Sequence, residues 1–136
     1  FTLETMSVPE TTAFGAEEVI SSMFRRNDEL PDIVVCLNEV YTTCVCQALV
    51  DHNRVGETIV YGFYENSTIL SSIQKNIISA TVTVNTEQMG RFCVDALEEY
   101  NESGYVNEFF PADIEEISQN NIEEYLAALS GEVQDE

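Results

Sequence analysis

The chain of 136 residues carries 25 Asp and Glu against 5 Lys and Arg, a formal net charge of −20, which repels phosphate backbones and excludes nucleic acid as a partner of this segment. An apolar content of 44% supplies one core for one domain and argues against disorder. No apolar run approaches the ~20 residues that cross a bilayer, and the start, "FTLETMSV", lacks a basic-then-apolar leader.

In chain order, residues 2–8 predict an extended strand closed by Pro9, with Thr11 or Thr12 capping a helix. Ala16, Val19, Ile20, Met23 and Phe24 recur at three-and-four spacing and predict one buried helix face, which Arg25-Arg26-Asn27-Asp28 ends in solvent. Ile33 to Leu37 form a continuous apolar run, the mark of a strand covered on both faces. From Glu39 the period changes: Tyr41, Cys44, Val45, Ala48 and Leu49 share a helical face, and "DHNRVG" leads back to the sheet.

"ETIVYGFY" repeats the strand, "ENST" supplies a turn and cap, and a helix is predicted from about residue 68 to 75. "IISATVTV" is β-branched and strand-like. In "NTEQMGRFCVDALEEY" the apolar positions Met89, Phe92, Cys93, Ala96, Leu97 and Tyr100 predict a long amphipathic helix. The tail reads as an interrupted strand and a short helix, fraying from Ser130. Strands alternating with helices predict an α/β fold, a parallel sheet in three layers with helices on both faces.

In such a sheet ligands bind outside the carboxyl ends of the strands. Those ends are Val8-Pro9, Leu37-Asn38-Glu39, Phe63-Tyr64-Glu65 and Val84-Asn85. Asn38 carries two readings: a carboxamide that both donates to and accepts from a hydroxyl-rich ligand, or the cap of the helix that follows.

Cys36, Cys44, Cys46 and Cys93 invite a metal or redox reading. Within a helix, however, Cys44 and Cys46 stand about 200° apart and cannot easily grip one ion. Core filling is the expected role of the thiols, and His52 is expected to be solvated. The acidic pairs Glu17-Glu18, Glu98-Glu99, Glu115-Glu116 and Glu123-Glu124 are adjacent rather than facing, which suits solvated helix surfaces. With neither a Gly-rich phosphate loop nor a nucleophile elbow, no enzyme activity, cofactor or metal is expected.

"PDIVVCLNEVYTTCVCQALV", "ETIVYGFY" and "IISATVTVNTEQMG", in that order and spacing, resemble the C-terminal portion of type I periplasmic sugar-binding proteins, the ribose-binding group especially. There the signatures run from an apolar strand to Asn-Asp, from a strand to Gly-Phe-Asp, and through Ala-Thr-Val-x-Gln into a Met-Gly helix. The resemblance spans residues 2–126 and implies a lobe truncated at its N-terminus. It implies units at 1–84, a segment at 85–112 that crosses to the other lobe, and a return strand, helix and tail at 113–136. By position Asn38 matches the sugar-binding Asn, Glu39 replaces the Asp, Tyr64 replaces the ligand-binding carboxylate, and Val84 replaces a Gln. Pro9 joins them at the first strand end.

The resemblance further implies a sugar-like solute as ligand, an extracytoplasmic location, a missing N-terminal lobe, and a membrane permease of the ABC type or a sensor as partners. The opening "FTLETMSV", strand-like and without an initiator Met, makes Phe1 an expected excision point. With its partner lobe absent, the Met89, Phe92, Cys93 and Leu97 face makes a homodimer or domain swap an expectation for the isolated chain. The alternative reading is the effector domain of a lactose-repressor-family regulator, which shares the lobe architecture, although "NIISATVTV" follows the transport branch. A structural or redox domain using the thiols is the third.

Overall fold

The computed structural model describes residues 2–8, 13–26, 29–107 and 109–132. Helix α1 (Ala13–Arg26) precedes β1 (Ile33–Val35), α2 (Glu39–Asp51), β2 (Ile59–Phe63), α3 (Ser67–Gln74), β3 (Ala80–Val84), α4 (Thr86–Ser103), β4 (Ile114–Ser118) and α5 (Ile122–Glu132). The strands lie in the order β1-β2-β3-β4. The first three are parallel, with Val35 opposite Tyr61 and Phe63 opposite Val82. β4 returns antiparallel, with Val84 opposite Ile114, so the all-parallel sheet expected from alternation holds for three strands of four.

Strands that follow one another in both sequence and space place right-handed crossover helices on one side of the sheet. α2 and α3 are those crossovers. Val60, Thr81 and Ile117 turn toward the helix layer and are wholly buried, Val60 and Ile117 in the same cluster as Leu49, Ile69 and Ile73. The register puts Ile33, Val35, Ile59, Tyr61 and Phe63 on the opposite face, where Ile33 is 52% and Val35 62% exposed. Cover on that second face, which the apolar run of β1 predicts, is therefore not found among the described residues. The α/β class stands.

α2 is the centre of the helix layer. Of its expected face Cys44, Val45, Ala48 and Leu49 are buried and Tyr41 is half-buried, and Thr42 and Cys46 are buried with them because α1 packs on one flank and α3 on the other. Three thiols, Cys36, Cys44 and Cys46, are in the core as expected, whereas Cys93 is exposed. Its helix, α4, buries no residue at all. Phe92 meets Phe110 with ring centroids 5.5 Å apart, but Met89, Leu97 and Tyr100 face solvent. α4 ends on Gly104, whose φ of 72° supplies the left-handed residue that closes a helix.

Residues 2–8 form no strand. A strand needs a hydrogen-bonding neighbour, and β1 pairs only with β2 in this sheet. Val8 alone of this segment is buried, and its carbonyl accepts from the Tyr41 hydroxyl at 3.2 Å. Pro9, Thr11 and Thr12 lie outside the described residues. α5 continues through Ser130 to Glu132, past the point where fraying is expected. His52 is half-buried rather than solvated, and its Nε2 lies 2.9 Å from the Ser21 hydroxyl of α1.

Candidate functional site

The parallel pairing brings the carboxyl ends of β1, β2 and β3 to one edge of the sheet, and with them Asn38, Tyr64 and Val84. Pro9 lies outside the described residues. Asn38 is extended (φ −155°) and caps α2, its Oδ1 accepting from the Tyr41 N–H at 2.8 Å. The capping reading is therefore realised, and it does not exhaust the side chain. The cap uses the acceptor end and fixes the plane of the carboxamide, and among the described residues nothing accepts from Nδ2. Asn38 is half-buried at the edge.

Glu39 is turned inward along the helix layer. Its Oε1 accepts from Asn66 Nδ2 at 2.8 Å, and the same nitrogen lies 3.0 Å from Thr43 Oγ1. Asn66 in turn caps α3 by accepting from the Ile69 N–H at 2.9 Å. Glu39 thus ties the starts of two helices together. Glu65, beyond the end of β2, is bonded to the Tyr125 hydroxyl of α5. The two carboxylates beside the edge are thereby both engaged by the scaffold.

Tyr64 follows β2 with a left-handed backbone, φ 70°. Its N–H donates to the Val82 carbonyl at 2.7 Å and its carbonyl accepts from Thr81 Oγ1 at 2.6 Å. Val84 ends β3, half-buried on the sheet face that Phe63 shares.

Three residues that the strand-end argument leaves out organise this edge. Thr42 Oγ1 accepts from the Phe63 N–H at 3.0 Å and donates to the Asn38 carbonyl at 2.8 Å, joining the ends of β1 and β2. Thr81 holds Tyr64. Gly62 lets α2 approach, since a Cβ there would lie 2.5 Å from Thr42 Cγ2. A glycine inside "IVYGF" is the sequence signal of such an approach; the two threonines offer none. Thr83, 4% exposed, has a hydroxyl without a partner among the described residues.

Cys36, Cys44 and Cys46 are buried beneath the edge, and Cys36 bonds Thr42 there. Burial, reinforced by Cys46 and Cys44 nearby, pushes Cys36 up to about 12 against a weaker opposing bond to Thr42. Burial likewise raises Cys44 and Cys46. All three are protonated at neutral pH and poor nucleophiles. Among the described residues no group of three metal-ligating side chains converges.

No family model matches the sequence, and no curated protein matches it. Solved structures do share its fold. An ABC transporter solute-binding protein from Agrobacterium vitis bound with alpha-D-tagatopyranose superposes with TM-score 0.79 at 15% identity, over 93% of this chain and 42% of that one. A second from the same organism, with bound D-fucose, gives 0.75 at 21% identity over 85% and 40%. The XylFII-LytSN complex gives 0.68 at 20% identity over 81% and 38%. The chain thus has the α/β fold of part of a type I periplasmic-binding-protein lobe and spans about two-fifths of the length of these structures.

Proposed function

We propose that this chain forms one wall of a carbohydrate-recognition site in an extracytoplasmic substrate-binding protein, which delivers its solute to an ABC importer or reports it to a membrane sensor. The observation that carries the reading is the meeting of three parallel strand ends at one edge, where Asn38 is held by its own cap and its Nδ2 meets no acceptor among the described residues. A preset amide donor beside a tyrosine and an aliphatic side chain suits a neutral ring bearing hydroxyls on its rim and C–H groups on its face. The fold likeness to proteins holding tagatopyranose and D-fucose supports a sugar, and the XylFII-LytSN likeness supports the sensor branch.

The mechanism is binding, not catalysis. A second wall closes over the solute, and contacts made only in the closed state shift the population toward it. Permease or sensor then reads closure. Titration of the full-length polypeptide with D-fucose, D-tagatose, D-ribose, D-glucose and myo-inositol tests this by thermal unfolding. A ligand at a hundred times its Kd stabilises by about 2.7 kcal/mol. No shift with any of them at millimolar concentration overturns the reading.

A further inference from the structure

Asn53, Tyr64 and Asn76 are the residues other than glycine with positive φ among the described residues, at 54°, 70° and 59°. The two asparagines each follow the C-cap of a helix, where a short carboxamide tolerates left-handed backbone. Tyr64 differs in kind. It is bulky and aromatic, it ends a strand, and in this conformation its Cβ crowds its own carbonyl. Asn or Gly would keep both of its hydrogen bonds, since both are made by the backbone, and would relieve the crowding.

Strain of this sort persists only where the surroundings over-determine it, and it concentrates at ligand sites. Here the N–H and the carbonyl of Tyr64 are both anchored to β3, by Val82 and Thr81, while Thr42 fixes the preceding Phe63. Thr42 and Thr81 are wholly buried, so the anchors have no freedom. Along β2 the exposed residues Ile59, Tyr61 and Phe63 alternate with the buried Val60 and Gly62. An extended residue 64 would continue into the helix layer. The left-handed turn breaks that alternation and leaves Tyr64 half-exposed at the edge.

We propose that Tyr64 is a strained stacking platform, its ring face packing against the C–H face of a cyclic polyol or pyranose, with Thr81 and Thr42 as positioning residues. The inference rests on the solute-recognition reading and adds the mode of recognition: an aromatic face rather than a carboxylate selects the ligand. Such a wall favours solutes with an uninterrupted C–H face over those whose hydroxyls crowd both sides.

The test uses the full-length polypeptide and two readouts. In thermal unfolding without solute, Tyr64→Asn melts at or above the wild type, while β-branched Tyr64→Val melts lower by about 4 °C or more. Equal losses in both variants would remove the strain and overturn the inference. In calorimetric titration with the sugars and cyclitol named above, Tyr64→Gly weakens the best-bound solute by about tenfold, and Tyr64→Phe retains affinity within about threefold. Thr81→Val loses affinity and Thr81→Ser restores it. Unchanged binding in Tyr64→Gly, or a loss in Tyr64→Phe as large as in Tyr64→Gly, overturns the platform and leaves solute recognition standing. A wild type that binds none of the panel brings down the solute reading, and the platform with it.

Discussion

Gly62, Thr83 and the buried thiols each make a separate demand on the core. At Gly62 an added methyl would meet Thr42 Cγ2 at 2.5 Å and Thr81 Oγ1 at 3.0 Å, two side chains already committed to the strand ends. Gly62→Ala should therefore destabilise by about 1–3 kcal/mol, the usual cost of overpacking, read as a lower urea midpoint at unchanged slope. Thr83 has the opposite sign. Its hydroxyl is buried and unpartnered among the described residues, a state that costs about 1–3 kcal/mol, so the isosteric Thr83→Val should hold or raise the midpoint; a clear drop would mean that the hydroxyl bonds a buried water. For the thiols, native-state alkylation should modify Cys93 alone and reach Cys36, Cys44 and Cys46 only on unfolding. Cys36 loses its proton near 9.0 when unfolded and near 12 when folded. Between those values the unfolded state holds fewer protons, so this contribution to stability is intact below pH 9 and declines as pH rises toward 12. Guanidinium midpoints at pH 8 and 10.5 should show that decline, and Cys36→Ala should reduce it.

At the scale of elements, the neck between β3 and α4 is tied by one residue. Asp113 accepts at its carbonyl from the Asn85 N–H at 2.9 Å, donates its N–H to Gln88 Oε1 at 2.6 Å, and receives Gln88 Nε2 on its carboxylate at 3.0 Å. Since α4 buries nothing, this clamp sets the direction in which the helix leaves the sheet. Gln88→Ala should speed exchange of the Asp113 amide about fivefold or more and leave the Tyr64 amide unchanged; equal speeding of both would indicate general loosening instead. The same elements show how much the residue pattern discloses. Helices and strands were legible because apolar period is local, and the strand ends followed from their order. What lies across from an element is not local. The stripe on α4 states a need for a partner without naming one. Residues 2–8 have strand composition but pair with no strand among the described residues. α2 is buried on two flanks, with Cys44 near Glu17 and Cys46 near Ser72, so a one-face reading missed Thr42 and Cys46. The site was legible in position and not in conformation: a tyrosine argues against positive φ, so the strain at residue 64 is invisible until the backbone is seen.

Taken as a whole molecule, the chain must fold against its own charge. Its 25 carboxylates face 5 Lys and Arg, and compaction brings the acidic helix surfaces closer together than they stand in the unfolded chain. Added salt acts on that in two ways. It weakens favourable pairs, but Arg54–Glu57 and Arg91–Glu87 are partly or fully exposed and only three or four residues apart, so little is lost with them. It also screens the repulsion of a net charge of −20, as the Debye length falls from about 30 Å at 0.01 M to about 10 Å at 0.1 M and about 3 Å at 1 M. Repulsion is summed over many pairs and attraction over few, so screening wins. The thermal midpoint at pH 7 should rise steadily from 10 mM to 500 mM NaCl, with most of the gain below 150 mM because the longest-range terms are screened first. Lowering the pH toward the pI of about 4.1 at low salt should shrink the salt effect by titrating the same carboxylates. A midpoint that falls with salt at pH 7 would mean that a few specific ion pairs outweigh the collective field, and would refute the account.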